Sequence, residues 1–189
     1  MAIQAATCGT GGLGKTSLVK TLLGLPYDAG EITTHGLRIT ELQVPHPGQQ
    51  DVLMRLAAWD FGGQEIYHAT HQFFLTDQSL FVLVWNARTG YEHGRLRYWL
   101  DLITARASQA PILIVATHVP TEHEAGRAPD QPSTQLHRNY PQICASAQVD
   151  SATHDGITEL STLIAGHAAS LPLMGQLWPQ SWQDAPDAI

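Results

Sequence analysis

Residues 9 to 16 read Gly-Thr-Gly-Gly-Leu-Gly-Lys-Thr, a GxxxxGK[ST] pattern that sits between a strand-like stretch, Ile3 to Cys8, and a helix-like stretch. Few other patterns restrict a chain's fold so strongly. Phosphate oxygens need many donors packed closely around them, and backbone amides at a helix start provide these where no side chain intrudes. Gly9, Gly11, Gly12 and Gly14 let the chain wrap such a group, with Thr10, Leu13 and Ser17 completing the lining. Lys15 would bring its ammonium to the β and γ oxygens, and Thr16 a hydroxyl to a magnesium ion that keeps most of its waters. A plain glycine-rich turn with a capping Thr would need neither the strand before it nor the helix after it.

About fifty residues on, Trp59-Asp60-Phe61-Gly62-Gly63-Gln64-Glu65 supplies a second half to the site. Asp60 ends an apolar run, Val52 to Trp59, that reads as a buried strand, so its carboxylate emerges at the strand's carboxyl end, where sheets of this kind bind ligands. There Asp60 can hold the water shell of the magnesium. The Gly62 or Gly63 amide can approach a γ-phosphate because no Cβ stands in the way. Gln64 falls where a water-orienting residue belongs. The alternative is an ordinary polar turn after a strand.

Strand and helix patterns alternate along the chain, which predicts a parallel sheet between layers of helices. Leu80 to Trp85 and Ile112 to Ala116 are unbroken apolar runs, as central strands covered on both faces require. From Leu37 to Val44 the alternation Leu37/Ile39 changes phase to Leu42/Val44, which predicts an edge strand with a bulge. Helical spacing appears at Leu18, Leu22 and Leu25, at Leu96, Trp99, Leu100 and Ile103, and at Ile157, Leu160, Leu163, Ile164 and Ala168. Val119 to Pro141, with Pro120, Pro129, Pro132 and Pro141, reads as an irregular excursion.

With 189 residues the chain suits one domain with a real core. A net charge of −7 with ten Lys plus Arg argues against a nucleic-acid surface, which needs clustered positive charge. Cys8 and Cys144 lie in apolar strand-like stretches and read as buried thiols in a reducing compartment. No 18-residue apolar run or signal-peptide pattern is present, so a soluble, cytoplasmic chain is expected. The ten histidines, His118 and His123 included, have no partners at ligand spacing and read as scattered surface residues.

The run from Trp59 to Thr76, WDFGGQEIYHATHQFFLT, closely resembles the Roc domain, the Ras-like GTPase module of Roco proteins. It is far longer than the DxxGQ element that small GTPases share. Tyr98-Trp99-Leu100, Ala116-Thr117-His118 and Ser146-Ala147 extend the resemblance over nearly the whole chain. The resemblance implies an α/β, three-layer P-loop NTPase of the Ras-like G-domain type, with a six-stranded, mainly parallel sheet and one antiparallel edge strand. It implies a Roc domain over residues 1–170 and, over 171–189, a tail resembling the start of the linker to the COR domain.

Guanine nucleotide (GTP/GDP) and Mg2+ are the implied ligands, with Gly63 at the γ-phosphate, Thr117 and His118 as the base-reading element and Ser146 and Ala147 beside them. Thr34 matches the family's switch threonine, which would join Thr16 and Asp60 around the metal; Thr33 is the neighbouring candidate. Lys15, Gln64 and Thr34 carry the implied slow hydrolysis. In the parent protein a COR domain and a Roco homodimer are the implied partners, while the fragment alone is expected to be a monomer.

The chain departs from the family at Pro120, where an aspartate normally accepts the guanine N1 and N2 hydrogens. Losing that charge-assisted interaction costs on the order of 1.5–3 kcal/mol. Glu122 and Glu124 follow as acidic residues that the loop can bring back or leave solvated. Gln148 replaces the Lys common in the wider superfamily. Among Arg38, Arg88, Arg95 and Arg97 the spacing singles out no catalytic arginine, and a switch domain without one forgoes a rate factor of roughly 10³–10⁵. A non-catalytic nucleotide-binding or dimerisation scaffold is the second functional reading, and a base-indifferent hydrolase the third.

Overall fold

The unbroken apolar runs form the middle of a sheet. The computed structural model describes residues 4–8, 12–31, 34–62, 75–90, 95–119, 134–172 and 174, with the side chains of 4–8, 134 and 135 left aside. In chain order the elements are β1 (Gln4–Cys8), α1 (Lys15–Leu22), β2 (Leu37–Pro45), β3 (Leu53–Phe61), β4 (Leu80–Asn86), α2 (Leu96–Arg106), β5 (Ile112–Thr117), α3 (Thr134–Asn139), β6 (Ile143–Gln148) and α4 (Ile157–Ala169). The strands form one six-stranded sheet in the order β2-β3-β1-β4-β5-β6. Only β2 runs antiparallel to its neighbour, β3; all other pairings are parallel.

Parallel neighbours need crossover connections, which place helices on the faces and bury both sides of the central strands. Val82 and Val84 of β4, with Leu113 and Val115 of β5, join Leu18 of α1 and Leu160 and Ile164 of α4 in one core. The alternate residues Phe81, Leu83 and Trp85 face the other side, against Trp99, Leu100 and Ile103 of α2. Each such side chain, fully buried, contributes about 1.5–3 kcal/mol. The aliphatic stripes of α2 and α4 are therefore core faces. Leu25 is not part of such a stripe: it lies past the end of α1 and is 46% exposed.

The change of phase in β2 has a different cause from a bulge. Register with β3 runs unbroken from Leu37↔Phe61 to Pro45↔Leu53. Leu42 and Val44 are buried in the first core, while Leu37 packs against the second, so the two halves of one regular strand contribute to opposite faces. The irregular register lies elsewhere, between β5 and β6 at Ile112/Leu113.

The stretch expected to be irregular up to Pro141 ends in a helix, α3. Residues 134–139 contain no proline, and Leu136, 5% exposed, anchors the turn in the core. Cys144 is exposed on β6 rather than buried, with its Sγ donating to the Ile112 carbonyl at 3.3 Å. Past α4, Leu171 is buried and Met174 packs against the first core. No helix among the described residues is long and apolar enough to cross a membrane.

Candidate functional site

The carboxyl ends of the parallel strands meet the amino end of α1. Gly14 caps α1 with no side-chain hydrogen bond, and no acidic residue occupies the first turn, so the positive end of the helix is turned toward any anion placed there. Lys15 is 6% exposed. A cavity of about 190 Å³ opens over this turn, lined by Gly12, Leu13, Gly14, Lys15, Thr16 and Ser17 together with Tyr27, Asp28, Ala29, Glu31, Thr34, Phe61 and His118.

Three oxygen-bearing side chains from separate elements converge at its edge. Thr16 Oγ1 donates to Asp60 Oδ2 at 2.6 Å and lies 2.7 Å from Thr34 Oγ1. Thr34 Oγ1 is 3.2 Å from the same carboxylate oxygen. Asp60, next to last in β3, is 1% exposed, and two hydroxyls solvate its buried oxygen. This set suits a small hard cation. At 2.7 Å the Thr16 and Thr34 hydroxyls hydrogen-bond each other, and all three groups offer oxygens of the kind magnesium takes.

The segment bearing Thr34 is fastened at both ends. Glu31 forms an ion pair with Lys20 of α1. The Gly62 amide donates to the Gly36 carbonyl at 2.7 Å, one step beyond the β2–β3 ladder. A Cβ on Gly62 would stand 2.6 Å from the Thr34 carbonyl oxygen, so only glycine allows this approach. The Gly62 amide, considered for a γ-phosphate, is therefore engaged with Gly36.

At the other rim, Thr117 ends β5. Its hydroxyl lies 2.8 Å from the Leu13 carbonyl and 3.1 Å from that of Trp85, tying the strand to the glycine-rich loop. His118 has a left-handed backbone, φ 52°, that turns its ring toward Gly14; its Nδ1 is 3.1 Å from Thr117 Oγ1. Burial, and then the Arg88 guanidinium, hold the imidazole below its ordinary pKa of 6.5, with Asp150 opposing them. A second cavity, about 210 Å³, adjoins the first and is lined by Gly14, Ser17, Tyr27, Arg88, Thr117, His118, Asp150, Ser151 and Ala152.

That lining leaves out one expected pair. Ser146 and Ala147 lie inside β6, paired with Ile114 and Val115, and Ala147 faces the core. The Ser-Ala pair beside His118 is Ser151-Ala152, two residues beyond Val149, whose amide donates to the Ala116 carbonyl. Both dipeptides were visible in the sequence; what separates them is where β6 ends. Tyr27, 43% exposed and common to both cavities, was not singled out by sequence. Gly9, Thr10, Gly11, Thr33, Gly63, Gln64, Pro120, Glu122, His123 and Glu124 lie outside the described residues. Of the four arginines, Arg88 lines the second cavity; Arg38, Arg95 and Arg97 are exposed on β2 and at the start of α2.

The sequence model for "Ras of Complex, Roc, domain of DAPkinase" matches residues 5–120. The chain belongs to the Roc family. Roc domains are Ras-like GTPases, and the Dictyostelium discoideum protein named "Probable serine/threonine-protein kinase pats1" is 32% identical over 189 residues, covering 90% of this Roc chain and 6% of the relative. "Leucine-rich repeat serine/threonine-protein kinase 1" of Mus musculus is 38% identical over 81 residues, 42% of this chain and 4% of the relative. A solved structure of Methanosarcina barkeri Roco2 RocCORdC bound to GDP superposes with a TM-score of 0.76 at 31% identity, over 96% of the Roc chain and 53% of the other. The fold is thus the Ras-like P-loop fold, and the chain spans a small part of the curated relatives it matches.

Proposed function

We propose that this Roc chain is a GTP-binding switch that binds Mg-GTP and Mg-GDP and slowly hydrolyses GTP to GDP and phosphate. The observation that carries the reading is the convergence of Thr16, Thr34 and Asp60 beside the buried Lys15 at the amino end of α1. Gly9 to Ser17 wrap the phosphates with backbone amides, and Lys15 sets its ammonium against the β and γ oxygens. Thr16, Thr34 and Asp60 would hold magnesium, which when bound neutralises charge developing on the transferring phosphoryl group. Gln64, two residues beyond the Gly62–Gly36 contact, orients the attacking water, and the Gly63 amide senses the γ-phosphate. Tyr27 offers a face for the purine, beside Thr117 and His118.

Thr34 is held jointly by the α1 hydroxyl and the β3 carboxylate, so a ligand that draws on either oxygen acts directly on the segment between Glu31 and Gly36. Loss of the γ-phosphate would relax the segments of residues 28–36 and 61–75, and that order change is the signal passed on. In the longer parent protein the recipient is a COR domain that follows residues 171–189, within a homodimer. The fragment of residues 1–170 acts as the switch.

Single-turnover hydrolysis of GTP in magnesium tests this. Slow phosphate release is expected from the wild type and none from Lys15→Ala, which should lose nucleotide binding while keeping its circular dichroism. Tight GDP binding with no release at all would favour the non-catalytic scaffold, a reading that rests on Pro120. Retained binding by Lys15→Ala at unchanged affinity would overturn the phosphate-site assignment.

A further inference from the structure

We infer that Asp150 is the carboxylate that reads the base, in place of the aspartate that Pro120 displaces. The inference rests on the switch reading above and adds to it the residue that selects guanine. The cavity that contains Asp150 shares Gly14, Ser17, Tyr27 and His118 with the phosphate cavity, so a nucleotide with its phosphates on α1 extends its base toward Asp150.

The side chain is already oriented. Asp150 Oδ1 accepts the amide hydrogens of Ala152 at 2.7 Å and Thr153 at 3.1 Å, and the Asp150 amide donates to the Asp155 carbonyl at 3.0 Å. Among the described residues Oδ2 accepts no hydrogen bond. The loop is anchored where the base-reading strand ends, since the Val149 amide donates to the Ala116 carbonyl at 2.9 Å, one residue before Thr117. Gly156 closes it on the other side: a Cβ there would stand 2.0 Å from the Gln148 carbonyl oxygen.

The chemistry then selects the base. Guanine presents N1–H and N2–H₂ on one edge, and a carboxylate can accept from both. Adenine presents an acceptor at N1, which a carboxylate repels, so the same group that attracts guanine excludes adenine. A fixed Asp150 thus restores from the loop after β6 what Pro120 removes from the loop after β5.

The test is calorimetric titration of the nucleotide-free chain with GDP, ADP and xanthosine diphosphate in magnesium, on the wild type and on Asp150→Asn. The asparagine carbonyl can keep the Ala152 and Thr153 amides, while its NH₂ opposes guanine N2 and suits the C2 carbonyl of xanthine. For the wild type, GDP is expected to bind more tightly than ADP. In Asp150→Asn, GDP affinity should fall about ten- to hundredfold, ADP should stay within about twofold, and xanthosine diphosphate should gain. That gain cannot come from a damaged fold. An unchanged GDP-to-ADP ratio in the variant, or equal binding of both by the wild type, overturns the role of Asp150. A wild type that binds neither nucleotide overturns the switch reading instead.

Discussion

Thr34 shows how a single hydroxyl can join two elements. It lies 2.7 Å from Thr16 Oγ1 and 3.2 Å from Asp60 Oδ2, so whatever occupies the site between them also holds the segment that carries Thr34. Thr34→Ala should therefore lower affinity for a non-hydrolysable GTP analogue by roughly tenfold, the worth of one charge-assisted contact, while GDP binding changes little. Parallel titrations check this, and an equal loss for both nucleotides would remove Thr34 from the triphosphate-sensing role. The purine face proposed for Tyr27 concerns a different part of the ligand. Tyr27→Ala should weaken GDP and ADP alike, by about 1–3 kcal/mol for a lost stacking face, without altering their ratio. At this scale the sequence is legible where spacing fixes placement: Lys15 and Thr16 open α1 as the loop pattern requires, and Asp60 falls at the end of an apolar run. It does not separate two similar dipeptides. Ser146-Ala147 and Ser151-Ala152 differ only in whether they fall inside or beyond β6, and no local pattern marks the last hydrogen-bonded residue of a strand.

Among elements, β4, β5, α2 and α4 follow directly from periodicity because burial on both faces, or on one helical stripe, leaves a continuous record in residue type. An edge strand leaves a weaker record. In β2 one half serves each core, so its alternation breaks although its backbone register does not. The α3 helix was hidden by the prolines around it, its single buried apolar residue, Leu136, being too little pattern to read. The junction of β2 and β3 has a sharper requirement. Gly62 donates to Gly36 and leaves no room for a Cβ beside the Thr34 carbonyl, because the nearest obstacle is backbone and cannot swing aside. Gly62→Ala should therefore destabilise the domain by about 1–3 kcal/mol, the usual range for overpacking. Thermal unfolding would read this as a fall of roughly 2–4 °C per kcal/mol in a domain of this size. An unchanged midpoint would mean that the contact gives way without cost.

Over the whole molecule, the sheet brings to one edge residues that are far apart in the chain: the start of α1, the ends of β3 and β5, and the loop after β6. His118 is where this assembly meets proton chemistry, since its ring lies between Gly14 of the glycine-rich loop and the cavity that Arg88 and Asp150 line. Burial, then Arg88, lowers its pKa in the folded chain below the ordinary 6.5. As pH falls through about 6.5, the unfolded chain therefore takes up this proton before the folded one does, so unfolding is accompanied by proton uptake and stability falls with pH. The stability His118 contributes is thus complete above the unfolded value. It is lost as pH drops toward the lower, folded value, and the loss then levels off. His118→Gln, which keeps a hydrogen-bonding tip but cannot titrate, should make the midpoint of denaturant unfolding less sensitive to pH between about 6.5 and 5 than in the wild type. Because the other titrating groups are common to both chains, the difference between the two slopes isolates His118. Parallel slopes would mean that the ring gains as much from Asp150 as it loses to burial and Arg88. A steeper slope in the variant would mean that the imidazole is held charged, and the cavity around the base would then be a cation-bearing one.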